Sequence, residues 1–409
     1  MNTKQITRLI VALILVAVVG WLLVSKDNQS WNQGEASIGG AIMPELSIND
    51  IQKMTITDAD GAVTLLKEEE TWRVSERSAY AADFAKIRDL LIQIADTKIL
   101  RPMKVGESQL GRLELQVPGE GDKSGTLLTF FAEGETPQAK LLLGKQSMKK
   151  SEASSFGGGE FPDGRYIMVD GDMQRISQVS ETFSAVTTEP KQWLDKTFFK
   201  VEKLQSVSVT HPDVTNNWSV SRESDSGDMV LAGLAEGEEM DSSRTYSLKN
   251  VLSSPSFNDI VGGEIDQEAL GMDQAIKAEL KTFDGFAYTV ELGSPNEDEE
   301  YPVRVGITAE IAETRVAPEE ESDEDKERLD KEHAEQVAKL KEKMEAESGL
   351  AGKVFWVSKW TVDTLLKVRS ELIKQPEDES TEGTADSGAP EIQIPGLEGL
   401  TNPLGLDGQ

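Results

Sequence analysis

The stretch "ITDADGAVTLLKEEETWRV", Ile56 to Val74, decides the fold. Apolar residues alternate on both sides of Asp58-Ala59-Asp60-Gly61, and Asp-Gly between alternating runs is a strong short-range hairpin signal. "IQKMTIT" supplies a first strand, "AVTLLKEE" a second and "TWRVSE" a short third. The competing reading of the same residues is a calcium loop, which needs a bidentate Glu at its twelfth position and Gly at its sixth. Glu69 stands at the twelfth, but the glycine falls at the fourth and strand-like residues fill the interval, so the hairpin is preferred.

Downstream, "YAADFAKIRDLLIQIADTKIL" switches period. Phe84, Ile87, Leu91 and Ile94 recur at helical spacing behind Asp83, a suitable N-cap. Two further strands follow in "GTLLTFFAE" and "AKLLLGKQ", then a Gly-rich loop, "SSFGGGEFPDG", the strand "RYIMVD" and a helical reading of "MQRISQVSETFSAV". The same succession then starts again: "LQSVSVTH", "NWSVSRE", a "SDSG" turn, "DMVLAG", a helix in "RTYSLKNVLSS", strands in "AIKAELKTFD", "FAYTVELGS" and "YPVRVGIT", and finally "KVFWVSKWTVDTLLKVRSELI". Ile56 and Val207 lie 151 residues apart, and Gly144 and Gly293 lie 149 apart. Matching Gly164 of "GRYIMV" to Gly352 of "GKVFWV" gives 188, so the second copy carries about 39 extra residues before that strand. A tandem duplication accounts for the pattern.

The extra residues are the charged run "PEEESDEDKERLDKEHAEQVAKLKEKMEAESG", in which Glu327/Lys331 and Glu335/Lys339 stand four apart, as supports a helix. Leu329, Val337, Leu340 and Met344 are too few for a sustained coiled-coil seam, so a solvated helical excursion is expected, with His333 exposed on it. From Pro376 to Gln409 there are eight acidic and no basic residues with repeated Pro and Gly, the composition of a disordered tail. Its segment "EIQIPGLEGLTNPLGL" regains apolar character that suits docking as an extended peptide, with an inert tail as the alternative.

At the other end, Lys4 and Arg8 precede the uncharged run Leu9 to Val24, close to bilayer-spanning length, and basic residues before a span favour an N-inside orientation. The expected reading is an uncleaved signal anchor in an inner membrane, with the bulk of the chain periplasmic or otherwise extracytoplasmic. The alternative is a cleaved export signal, for which a mature N-terminus near Ser37 is the test. The fold class expected is α+β: residues 1–8 cytoplasmic, a single transmembrane helix at 9–24, a flexible spacer at 25–43, two similar β-sheet-plus-helix modules at 44–190 and 191–375, and the disordered tail at 376–409. The charged insertion falls in the second module at about 312–350.

Composition limits the chemistry. A net charge of −31 over 409 residues argues against a nucleic-acid partner, because phosphates need a basic surface. The absence of cysteine removes disulfides, thiolate nucleophiles and Cys-based metal sites, and two histidines are too few for a His-rich centre. His211, in "THPDV", reads as part of a strand-ending turn, and no Gly-x-Ser-x-Gly elbow supports a hydrolase. "SSFGGGEFPDG" lacks the Gly-Lys-Ser/Thr of a phosphate loop, and "NEDEE", Asn296 to Glu300, reads as a solvated loop. No catalytic, cofactor-binding or metal residue is assigned, and no cofactor is expected.

The hairpin, the "W-x-V" strand, the Tyr80-Ala81-Ala82-Asp83 helix start with "KIRDLLIQIADTKI", the "LLLG" strand and "GRYIMVD" together resemble the bacterial domain of unknown function numbered 4340. The resemblance covers roughly Ile51 to Asp195 and, more loosely, Phe198 to Ile373; Ala81 stands where the family often has Pro. It implies a membrane-anchored protein, in some cases encoded beside ABC-type transport systems related to those of gliding motility, and it brings no established active site. The expected function is thus a non-catalytic extracytoplasmic scaffold contacting ABC-type membrane subunits. The alternative is a carboxylate-dependent envelope hydrolase acting on peptidoglycan or polysaccharide.

Overall fold

The computed structural model describes residues 37–150, 160–317 and 321–374. The expected span Leu9–Val24, most of the spacer and the tail 376–409 lie outside the described residues. Among the described residues, no helix is long and apolar enough to cross a membrane.

The quoted stretch forms three strands. β1 (Lys53–Thr57), β2 (Ala62–Glu68) and β3 (Thr71–Val74) step outward as an antiparallel meander that ends on β4 (Tyr80–Ala81). Helix α1 (Phe84–Asp96) then carries the chain to β5 (Ile99–Pro102) at the far edge. β6 (Thr126–Phe131) returns beside β1, and β7 (Pro137–Lys150), β8 (Glu160–Val169) and β9 (Ile176–Val179) fill the sheet out to β5. The order is β4-β3-β2-β1-β6-β7-β8-β9-β5, with every pairing antiparallel.

A second antiparallel sheet repeats this order of connection. β10 (Leu204–Thr210), β11 (Trp218–Ser221) and β12 (Val230–Leu231) step outward, and a short helix α2 (Thr245–Lys249) precedes the far-edge strand β13 (Asp259–Ile260). β14 (Ile276–Thr282), β15 (Phe286–Leu292), β16 (Glu300–Ala309) and β17 (Val354–Ser358) then give β12-β11-β10-β14-β15-β16-β17-β13. Between β16 and β17 rises α3 (Asp323–Ser348), and α4 (Lys359–Leu366) follows β17.

Gly144 and Gly293 occupy the same place in the two sheets. A Cβ on Gly144 would lie 2.4 Å from Leu113 O, and one on Gly293 2.2 Å from Leu270 O. The next amide in each case donates to that same carbonyl, Lys145 to Leu113 at 2.7 Å and Ser294 to Leu270 at 2.9 Å. In both sheets, then, a crossing segment lies against a strand that must be bare of a side chain.

Three sequence expectations need correction. "MQRISQV" is a 3-10 turn (Met173–Arg175) and strand β9, not a helix. Ile176 packs with Leu142 and Met168 on one side of the sheet and Val179 joins the main core on the other; apolar residues bound for opposite faces need a pleat. The partner of "RYIMV" is β16 by its place in the sheet, so Gly352 is not its counterpart. The extra residues separate β16 from β17, where the first sheet needs only Asp170–Arg175 between β8 and β9. Finally, "EFPDG" of the supposed loop is already strand β8, while residues 151–159 lie outside the described residues.

Both faces of the first sheet are covered, which explains why "TLLTFF" and "LLLG" read as continuous apolar runs. Leu128, Leu141, Leu143 and Ile167 face the large core, where Ile87, Leu90, Leu91 and Ile94 of α1 pack. Leu142, Met168 and Ile176 face the other way, beneath the 3-10 segment Glu107–Arg112 and Leu115. Full burial of each such aliphatic side chain contributes about 1.5–3 kcal/mol relative to exposure.

The large core does not stop at the first sheet. Tyr80 of β4 meets Phe257 and Phe355 edge-on, each at 5.9 Å between ring centroids and 82° between planes, and Phe198 of the connecting segment lies 5.1 and 5.0 Å from the same two rings. Over this cluster, Arg77 clasps Asp259 of β13 with a two-pronged pair, Nε–Oδ1 2.6 Å and Nη2–Oδ2 2.8 Å. Gly262 sits so close to the Glu76 carbonyl that a Cβ there would stand 2.8 Å from it. An aromatic cluster and a bidentate ion pair hold the edge of one sheet against the edge of the other.

Candidate interaction site

α1 begins where the sequence predicts. The Asp83 side chain accepts from the Lys86 amide at 3.0 Å, and its own amide donates to Trp193 O at 2.8 Å, so the helix start is fixed to the segment Pro190–Trp193. Trp193 is fully buried, and its indole donates to Thr187 O at 2.9 Å. Lys86 folds over that ring, 4.5 Å from Nζ to the centroid, and donates to Gln192 O at 2.8 Å. Burial lowers the Lys86 pKa, an effect only partly offset by Asp83.

Between this helix and the 181–193 segment runs an open groove of about 850 Å³. Its floor holds Leu90, Trp193 and the half-exposed Ile92; Asp89, Asp96 and Glu181 stand along its rim. Gln93 bridges the walls by donating to Glu181 at 2.7 Å. Asp89 is paired with Arg88 at 2.8 Å, on the solvent side. Among the lining residues there are four carboxylates (Asp83, Asp89, Asp96, Glu181) and one ammonium (Lys86), the latter already engaged.

Two smaller concavities differ in character. One, of about 520 Å³, lies under α3 and is laced with ion pairs, Lys203 to Asp284 at 2.9 Å and Lys343 to Glu202 at 2.7 Å. The other, of about 570 Å³, lies beside the exposed Trp360 with Asp298, Glu299 and Asp363, where Lys359 pairs with Glu299 at 3.2 Å.

The residues singled out in the sequence serve the fold. Asp58 accepts from the amides of Asp60 and Gly61 at 2.9 and 3.0 Å, and its other oxygen accepts from Thr188 at 2.8 Å. Glu69 lies in the next turn, at the opposite end of β2, so the two carboxylates of the calcium reading are a strand length apart. His211 is buried; its ring Nε2 pairs with Lys367 O at 3.1 Å and its amide with Asn217, closing the end of β10. Asp213 faces Thr215 rather than the imidazole. Asn296 to Glu300 form a tight turn around the Asn296 side chain. Among the described residues no three His, Asp or Glu side chains gather as a metal site requires.

α3 departs from the solvated excursion expected. Its first turns are exposed, and His333 is bonded to Ala312 O at 3.0 Å. Its last turns dock: Leu340 and Met344 pack on the large core, and Glu347 is buried, accepting from the Lys200 amide at 3.1 Å and Tyr288 Oη at 3.0 Å. Lys343 bonds Lys200 O and Glu202, both at 2.7 Å. Desolvation raises the Glu347 pKa, against the lowering influence of the Lys200 amide, Lys343 and Tyr288; the Tyr288 hydroxyl is pushed up as well, mainly by burial. Sequence reasoning missed this carboxylate and the Asp89-Ile92-Asp96 stripe. The stripe's spacing is legible, but the wall that turns it into a groove comes from residues 181–193, far along the chain.

Residues 72–275 match the model of a family described as Domain of unknown function (DUF4340). The match opens at Trp72 in β3 and closes just before β14, so it straddles the two sheets and includes the groove, Tyr80, Phe198 and Phe257 of the aromatic junction but not Phe355, and the first half of the second sheet. No curated protein and no solved structure matches the chain.

Proposed function

The chain belongs to the DUF4340 family, and on that premise we propose that it works without catalysis, as a membrane-anchored extracytoplasmic scaffold that contacts ABC-type transport subunits through protein surfaces. The observation that carries this reading is the α1 groove: wide, open, apolar in its floor and charged at its rim, it is presented on a body whose two sheets share one core. Its carboxylates Asp83, Asp89 and Asp96 are spaced along the whole length of α1, with Glu181 on the other wall, a spread that suits a contact surface. The apolar run Leu9–Val24 after Lys4 and Arg8 supports the anchor and its N-inside orientation.

The experiment is affinity purification of the full-length protein from its own membranes in mild detergent. Recovery of ABC-type membrane subunits in fixed ratio is the expected result; recovery of the protein alone sinks the reading. A carboxylate-dependent hydrolase is the second reading, and the acids beside Trp360 are the observation in its favour. It predicts release of soluble fragments from peptidoglycan or polysaccharide.

A further inference from the structure

We propose that the groove beside α1 receives a basic amphipathic helix from a partner protein. The inference deepens the scaffold reading and rests on it. On α1, Ile87, Leu90, Leu91 and Ile94 face the core. A second stripe, Ala85, Asp89, Ile92 and Asp96, repeats at i, i+4, i+7 and i+11 and faces the groove. That spacing is the ridge against which another helix packs. Ala85 on one wall and Ala185 on the other are small and exposed, leaving room for a close approach.

The occupant follows from charge. Ile92 is 43% exposed and has a carboxylate one turn to either side, Asp89 and Asp96. Glu181 faces them from the opposite wall, held by Gln93. An acidic helix would bring like charge against these carboxylates, and a neutral one would desolvate them with only Arg88 beside Asp89 and Gln93 beside Glu181 to offset the loss of water. A helix with Leu or Met for the floor and Lys or Arg one turn away on each flank pairs with the rim instead. The 13 residues of α1, at 1.5 Å rise each, offer a track of about 20 Å, enough for roughly four turns of a partner helix.

The test uses the full-length chain in discs of neutral phosphatidylcholine, with empty discs as baseline. The probe is a fluorescein-labelled helical peptide of Ala, Leu and Lys, with Leu on one face and Lys flanking it. A scrambled peptide of identical composition lacks the amphipathic face. Anisotropy should show the amphipathic peptide binding at least tenfold more tightly than the scrambled one. Ile92→Ser and, separately, Asp96→Lys with Glu181→Lys should each weaken it about tenfold. Asp298→Lys with Glu299→Lys, on the other sheet, should leave it unchanged. Equal binding of the scrambled peptide, or equal loss in the Asp298/Glu299 control, overturns the proposal, since non-specific attraction to an acidic protein would then explain the signal. The two readings fail separately: if the wild-type chain recovers membrane subunits and the Asp96/Glu181 variant recovers them equally, the groove is wrong and the scaffold stands, whereas recovery of the wild-type chain alone sinks the scaffold whatever the peptide does.

Discussion

Glu347 is a carboxylate placed where ionisation is costly. Tyr288, the Lys200 amide, Lys343 and the Glu202 carboxylate all face it, yet desolvation outweighs the favourable contacts and its pKa is raised. A raised carboxylate pKa means the folded state holds a proton that the unfolded state has released. The associated stability is therefore fully present below the ordinary glutamate range and is lost as pH rises through the raised value. Urea unfolding followed as pH is raised from the ordinary glutamate range should show stability falling. Glu347→Gln should flatten the fall, because a rotated amide can accept from Lys200 N–H and donate to Tyr288 Oη, whose proton then goes to Lys200 O at 3.0 Å. Glu347→Ala should cost about 1–3 kcal/mol below the ordinary glutamate range, since it leaves the buried Lys200 amide short of a partner, and the cost should shrink as pH rises because the variant lacks the titrating group. An unchanged pH slope in Glu347→Gln would assign the titration elsewhere.

At the scale of elements, local chemistry was readable wherever a segment's partners lie next to it. Asp58 closes its own turn, and the alternation of Met54 and Ile56, Val63 and Leu65, Trp72 and Val74 puts one buried face on three successive strands. Asp83 caps α1 through the Lys86 amide, so Asp83→Ala should cost about 1 kcal/mol, read as a lower urea midpoint with unchanged m-value. "MQRISQV" misled because Ile176 and Val179 also fit a helical spacing; pairing with β8 just before it and with the edge strand β5, far along the chain, makes it a strand. The charged insertion hid its own anchor, since a lone Glu gives no sign that a tyrosine about 60 residues earlier will bury it. The repeated glycine was visible, but not its reason, a carbonyl crossing from another segment. Gly144→Ala and Gly293→Ala should each destabilise by about 1–3 kcal/mol, because the added methyl meets Leu113 O or Leu270 O, backbone atoms that cannot swing aside. Gly134→Ala is a poor control owing to its positive φ of 92°; Gly61→Ala, with open space around its Cβ position, is the better one and should move the midpoint far less.

At the scale of the whole molecule, among the described residues the edges of the two sheets meet through groups that neither could satisfy alone. Burial raises the pKa of the Tyr80 hydroxyl, and its ring has its aromatic neighbours on the second sheet. The hydrogen bond to Asp259 raises the Arg77 pKa above its ordinary value, and both partners are about four-fifths buried. A chain of two independent sheets would unfold in two steps, whereas one whose core runs through the junction should unfold in one. The full-length protein in neutral lipid discs should therefore show a single calorimetric transition, with van't Hoff and calorimetric enthalpies in agreement. Tyr80→Ala should cost about 3–5 kcal/mol by opening a cavity between Phe257 and Phe355. Arg77→Ala should cost about 1–3 kcal/mol by stranding Asp259. Because both residues act at the same contact, the double variant should cost less than the sum of the two and should split the transition into two. Costs that add fully, with one transition retained, would place the coupling in the connecting segment around Phe198 and Phe199 instead, where Phe198→Ala would then produce the split. The native junction fixes how the α1 groove on one sheet is held relative to α3 on the other. Loosening it should leave peptide binding at the groove unchanged while weakening any partner that spans both sheets, a separation that anisotropy and co-purification on the Tyr80→Ala protein read independently.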